Sequence, residues 1–324
     1  MGYIFLAMNE SATLPEATPL SLRERHAGLL YGTLVGDALA LGAHWIYDPP
    51  EIARRWGEMT DFQTPDPGGY HPGKTAGDQT HYGDQVLVLM DSLETCGGAF
   101  VMDDFARRWR QWAEESTSYK DHATKDTLAH LQEGLGLTKA GSDSTELGGA
   151  DRIAPLLVAL RGEDAPVILG AARAQTALTH APVVTEAAEL FAHAVFLLLR
   201  GVSLRGALQG AVMFPYRQLP AEDYLRRAVE KSELPAVEAV ESFGASSALE
   251  KALPASLAIL WRHGDDPKRA LIQNVMAGGD SAARGMFIGA LLGAAHGRRA
   301  IPARWIEKLH AAPKVESFFE TVSG

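Results

Sequence analysis

The chain has 324 residues, 46% of them hydrophobic and 22% charged, which is enough apolar material for one large core or two ordinary ones. Its formal net charge of −10 and the scatter of its short arginine pairs, at 54–55, 107–108, 226–227 and 298–299, argue against a nucleic-acid partner, because phosphate contacts need clustered Lys and Arg. The single cysteine, Cys96, excludes an internal disulfide, and no uninterrupted apolar stretch reaches the ~18 residues of a membrane span, so the expectation is a soluble, cytoplasmic protein with no membrane partner.

Residues 1–20 are polar and contain proline, and read as a flexible tail. The short apolar patch from Tyr3 to Met8 lacks the basic flank of a signal peptide, and Leu6 stands where a myristoylation pattern needs Ser or Thr. From Leu22 onward, apolar residues recur at three- and four-residue spacing, as in Phe105, Trp109 and Trp112, and β-branched runs bounded by turns are almost absent. That pattern predicts helices throughout. The breaks fall at Pro49–Pro50, Thr64–Gly77, Gly134–Gly149, Gly162–Pro166 and Ala277–Asp280. Residues 64–80 have no period and look too polar for a core, and a loop of that length inside a domain usually has a function.

Two segments carry glycine at every fourth position: Gly28, Gly32 and Gly36, then Gly285, Gly289, Gly293 and Gly297. On a helix this spacing makes a nearly continuous stripe without side chains. Each glycine costs ~1 kcal/mol of helix stability relative to alanine, so close backbone approach must compensate. The stripes therefore predict two helices packed together at the centre, joining the first and last thirds of the chain in a single domain over residues 21–324.

Three aspartates mark the edges of these elements: Asp37 after the first stripe, Asp84 before an apolar helix, and Asp280 before the second stripe. Asp84 and Asp280 are equally readable as helix N-caps or as ligands beside glycine turns that expose backbone N–H groups. His44, His81, Tyr82 and Lys74 stand near them, and His71, in the same loop as Lys74, ranks below these as a site residue. His122, His180 and His193 read as structural, and Trp109 and Trp112 as core. The polar turn Gly141-Ser142-Asp143-Ser144-Thr145-Glu146 leads into a predicted helix over Leu147–Ile153, and Ser142 with Glu146 also resembles a helix cap.

Gly28-x3-Gly32-x3-Gly36-Asp37-Ala38-Leu39, Tyr82-Gly83-Asp84-Gln85 and Gly278-Gly279-Asp280-Ser281 with its glycine helix together resemble, in order, the three motifs of the ADP-ribosylglycohydrolase family. His44-Trp45-Ile46-Tyr47-Asp48, the segment from Gly77 to Gln85, and Gly141–Ser144 resemble its crystallin-J1-like branch. The resemblance implies a compact, orthogonally packed all-α fold. It also implies a cleft in which two Mg²⁺ ions orient ADP-ribose, or a related nucleotide sugar, for hydrolysis of a glycosidic bond.

Carried over residue by residue, the family's ligands are eroded. Of the first carboxylate pair only Asp84 remains, beside Gly83. Of the second only Asp280 remains, with Ser281 as a third oxygen, and His44 replaces a glutamate. Such a set suits one Mg²⁺ with several waters rather than a tight pair. The expected catalytic residues are Asp84, Asp280, His44 and His81, and the expected metal ligands are Asp84, Asp280 and Ser281. Asp37, Tyr47, Lys74, Tyr82, Ser142 and Asp143 are expected to bind substrate. The residues leave three functions open: a glycosidase with one Mg²⁺ or none, a non-catalytic, crystallin-J1-like binding or structural protein, and a different hydrolytic reaction in the same cleft that uses the histidines.

Overall fold

The computed structural model describes residues 20–322; the expected tail, residues 1–20, lies outside them but for Leu20. Sixteen α-helices occur among the described residues, and β pairing is limited to one isolated bridge between Glu146 and Ala248. In chain order they are α1 (Leu22–Ala40), α2 (Pro49–Trp56), α3 (His81–Thr95), α4 (Met102–Glu115), α5 (His122–Gln132) and α6 (Ala154–Ala159). Next come α7 (Ala165–Ala177), α8 (Pro182–Leu199), α9 (Leu204–Val212), α10 (Ala221–Lys231) and α11 (Ala236–Phe243). The last are α12 (Leu249–His263), α13 (Pro267–Met276), α14 (Ser281–His296), α15 (Ala303–Lys308) and α16 (Ala312–Val322). The all-α expectation holds.

The two glycine stripes meet. Gly28 lies against Gly293, Gly32 against Gly289 and Gly36 against Gly285, so α1 and α14 run antiparallel in backbone contact. A Cβ built on Gly32 would lie 1.9 Å from the Gly289 carbonyl oxygen, closer than any real contact. Both helices are buried almost all round, with Leu29, Leu30, Leu34, Phe287, Ile288 and Leu291 inaccessible to solvent, as expected of core helices without a polar face. The helix pair thus forms the axle on which the other helices pack.

α8 is long and apolar enough to cross a membrane, with a mean hydropathy of 1.6 over 18 residues. It contains Glu186, Glu189 and His193 and packs against α7, α9 and α14, which makes it a core helix.

The segment expected as one helix over Leu147–Ile153 is instead two short 3₁₀ turns, Leu147–Gly149 and Asp151–Ile153. The rings of Tyr82 and His180 press on the α-carbons of Gly148 and Gly149, which leaves no room for a regular helix bearing side chains there. Residues 64–80 are irregular, as expected, yet they are not wholly at the surface. His71, Gly77, Gln79 and Thr80 are buried, and these bring polar groups to the end of the α1–α14 axle.

Candidate active site

Asp280 caps α14, accepting the Ala283 N–H at 3.3 Å, so the capping role is real. Its carboxylate does more than cap. Oδ1 lies 3.1 Å from His44 Nε2, while Oδ2 accepts the Tyr82 hydroxyl at 2.8 Å and the Trp45 indole N–H at 3.4 Å. Burial opposes its charge, but His44 and the Tyr82 hydroxyl hold the carboxyl well below the usual carboxylate range. Asp280 is therefore a buried anion at neutral pH. Burial drives Tyr82 in the opposite direction, well above the ordinary phenol, so that it remains a donor.

His44 reaches Asp280 because two turns are stitched together. Trp45 N–H donates to the Gly279 carbonyl at 3.0 Å, and Gly279 N–H donates to that of Ile46 at 2.8 Å. Gly278 and Gly279 take φ of +68° and +65° to make this turn. Trp45, facing them, is the only described non-glycine residue with positive φ, at 64°, and such strain concentrates at functional sites.

A cluster of imidazoles builds out from Asp280. His44 Nδ1 lies 2.8 Å from Nε2 of His71, and His81 lies with its ring centre 6.0 Å from each. Burial, then the neighbouring His44, His81 and Lys74, pushes the His71 pKa down to about 2; burial also lowers that of His44, so both imidazoles are neutral. His81 begins α3, and its Nε2 lies 3.5 Å from Asp121, the N-cap of α5. Burial opposes the Asp121 charge too, but His81 and the Thr124 N–H hold its carboxyl low. Over the cluster Trp45, Tyr70 and Tyr119 meet edge to face, with centroid separations of 4.8, 4.8 and 5.7 Å.

Asp84 is not the N-cap of α3; Thr80 fills that position, accepting the Tyr82 N–H. Both Asp84 oxygens accept from the Lys74 ammonium at 2.8 Å, and Oδ2 also accepts the Ser118 hydroxyl at 2.6 Å. Asp37, fully buried at the end of α1, accepts the Thr80 N–H at 2.6 Å and its hydroxyl at 2.5 Å. Burial still raises the Asp37 carboxyl to about 6.

These contacts bear on the expected Mg²⁺. A Cβ at Gly83 would lie 2.4 Å from Asp37 Oδ2 and from Gln79 Oε1, so the space for the lost carboxylate is filled. Asp84 already faces a cation, Lys74, and Asp280 is engaged on both oxygens. Ser281 is the one expected ligand whose oxygen is buried without a partner. Mg²⁺ demands several hard oxygen donors around it, and this donor set does not fit it.

The other expected binding residues are dispersed. Tyr47 is 59% exposed and belongs to the surface around the site. The Ser142 hydroxyl donates to the Thr179 carbonyl at 2.7 Å and accepts the Ser144 N–H, so it is occupied in holding its own turn; Asp143 is exposed. Glu146 pairs with the hydroxyls of Ser247 and Ser144 rather than with Ser142. His71, Asp121, Tyr70, Tyr119 and Ser118 are the site residues that sequence reasoning left out or ranked low. They come from the irregular loop, from the turn before α5 and from the α5 cap. Only the length of the aperiodic loop hinted at them.

The sequence profile described as ADP-ribosylglycohydrolase matches residues 18–323. A protein of Archaeoglobus fulgidus without an assigned function is 29% identical over 299 residues, covering 89% of this chain and 92% of its own length. Crystallin J1B of Tripedalia cystophora is 23% identical over 320 residues, with coverage of 89% and 92%. A solved structure titled ADP-ribosylglycohydrolase-related protein complex superimposes with a TM-score of 0.73 at 26% identity, over 93% of this chain and 98% of that one.

Proposed function

The chain belongs to the ADP-ribosylglycohydrolase family, and from that premise we propose that it hydrolyses a glycosidic bond of ADP-ribose or a related nucleotide sugar without the magnesium pair. The observation that carries this is the ordered line Asp280–His44–His71. An ionised, buried carboxylate fixes the His44 tautomer, so Nε2 bears the proton and Nδ1 accepts from His71 Nε2–H. The far nitrogen of His71, Nδ1, is then an acceptor with no protein partner. The line orients an acceptor for water, and the Asp280 carboxylate partly offsets the burial that lowers the basicity of His71. A water there forms the new bond to the anomeric carbon. Its proton passes to imidazole, and the leaving group departs with the electron pair of the broken bond. Trp45, Tyr70 and Tyr119 provide flat apolar faces for a base or sugar, and Tyr47, Lys74 and Asp37 border the same region. We place this activity in the cytoplasm, with a small molecule as partner.

A second reading has its own support: a non-catalytic relative. His44 and His81 have no exposed side-chain surface, and the aromatic trio packs over them. Free ADP-ribose released from ADP-ribosylated arginine and serine peptides, measured by chromatography, separates the two. On the hydrolase reading, Asp280→Asn and His44→Gln each lower the rate by roughly 100-fold or more. Native protein that binds ADP-ribose in calorimetry but releases none supports the non-catalytic reading. Release that persists in both variants places the chemistry elsewhere.

A further inference from the structure

His44, His71 and His81 come from three separate elements, yet one nitrogen from each lies within 4.8 Å of the other two. All three side chains are buried. We propose that these imidazoles form a site for a late first-row divalent cation of the zinc class, replacing the family's magnesium chemistry with nitrogen ligation. The proposal deepens the hydrolase reading: ligation of His44 Nδ1 and His71 Nε2 would take the place of the hydrogen bond between them, so the ion rather than His71 activates the water, and the bond to be cut stays the same. Metal uptake is nevertheless measurable without any substrate, so the two can fail separately.

Three features support it. The first is donor type: imidazole suits zinc, copper, nickel and iron, whereas carboxylate and water suit magnesium. The second is the surrounding shell. Metal-binding histidines commonly give their other nitrogen to a carboxylate. Here His44 Nε2 faces Asp280 at 3.1 Å and His81 Nε2 faces Asp121 at 3.5 Å. Neither carboxylate has a Lys or Arg within salt-bridge distance among the described residues, so each buried carboxylate faces an imidazole as its nearest basic group. A divalent ion beyond the imidazoles would add to the positive charge that the buried Arg284 and Arg152 guanidiniums already bring near these carboxylates. The third is incomplete bonding. His81 Nδ1, the nitrogen left over once Nε2 faces Asp121, lies buried without a hydrogen-bond partner, against the general rule for buried polar groups.

The geometry requires adjustment at both ends of the spread, since nitrogens up to 4.8 Å apart must close and the nearest pair must open. Tetrahedral zinc at the usual Zn–N length holds its nitrogens about 3.3 Å apart, so the 2.8 Å between His44 Nδ1 and His71 Nε2 must open by about half an ångström. His71 lies in the irregular loop, where backbone constraint is least. Three protein nitrogens leave a fourth position for water, which is the pattern of catalytic rather than structural zinc. An ion there lowers the pKa of that water toward 7.

The test is a Co²⁺ titration of chelator-stripped protein followed by visible absorption, with Zn²⁺ and Mg²⁺ as competitors. The expected result is one Co²⁺ per chain, the intense visible bands of low coordination, displacement by Zn²⁺, and none by millimolar Mg²⁺. His71→Asn and His81→Asn should abolish the bands. Asp121→Asn, acting through His81, should weaken affinity by roughly 10–100-fold while leaving the spectrum intact. Asp84→Asn should change neither. The proposal is overturned if no Co²⁺ binds, if binding survives both histidine variants, or if Mg²⁺ displaces it or Asp84→Asn removes it. Circular dichroism identifies any histidine variant that fails to fold. In that event an unchanged affinity in Asp121→Asn overturns the proposal.

Discussion

Gly32→Ala isolates what the α1–α14 axle requires. The new methyl would sit 1.9 Å from the Gly289 carbonyl oxygen and 2.6 Å from its carbon. Both are backbone atoms in a buried helix, so no rotamer change relieves the overlap. Restoring van der Waals contact means moving the helices apart by about 1.5 Å at their closest point. A gap of ~1 Å already forfeits up to half of the dispersion attraction of the atoms that line it. Overpacking of this kind costs ~1–3 kcal/mol, and loosening contacts along both stripes brings the total to roughly 3–4 kcal/mol before the helical preference of Ala returns ~1. The net loss is about 2–3 kcal/mol. Gly170→Ala is the matched control: the same change within α7, at a position with nothing within 4 Å of a new Cβ. It should stabilise by ~0.5–1 kcal/mol. Urea unfolding of both variants gives the comparison directly. If the two free energies fall within 1 kcal/mol of each other, the helix contact is looser than described and the account of the fold's centre fails.

Three further outcomes follow from the site and its surroundings. Burial and then Arg152 lower the His180 pKa to about 3, so the folded state refuses a proton that the unfolded state accepts. Above pH 6.5 this has no effect; stability falls as pH drops below 6.5, by about 2 kcal/mol at pH 5, and levels off below about pH 3. His180→Gln should reduce the pH 7 to pH 5 difference in unfolding free energy by that amount, and an unchanged slope refutes the assignment. Lys74→Met strips Asp84 of its cation in a largely buried setting and should cost roughly 2 kcal/mol, read from urea unfolding. Millimolar Mg²⁺ should partly restore that loss in the variant and leave the native chain unaffected; equal effects on both would show that Lys74 is not what excludes the ion. Zinc at 100 times its dissociation constant should stabilise the native chain by about 2.7 kcal/mol, a gain that chelator removes and His71→Asn never shows.

Much of the frame was legible in the sequence, because its causes are local. Glycine at every fourth residue and apolar residues at three- and four-residue spacing dictate helices with specific faces, and two complementary stripes have one obvious partner each. The same locality placed Asp37, Asp84 and Asp280 at helix ends, and the loop at 64–80 between two periodic segments. The resemblance to the family's motifs, carried over onto Gly83 beside Asp84 and onto Ser281 and Ala282 after Asp280, also implied that carboxylates were missing there. What the pattern did not contain was convergence. That Lys74 reaches across Asp84, that His71 joins His44, and that Asp121 stands behind His81 all depend on where irregular turns fold back onto the axle. No periodicity encodes that. Asp84 and Asp280 looked alike in the sequence, each an aspartate before an apolar helix. Tertiary structure divided them, giving one a lysine and the other an imidazole cluster, since a buried charge takes its character from whatever long-range packing places beside it.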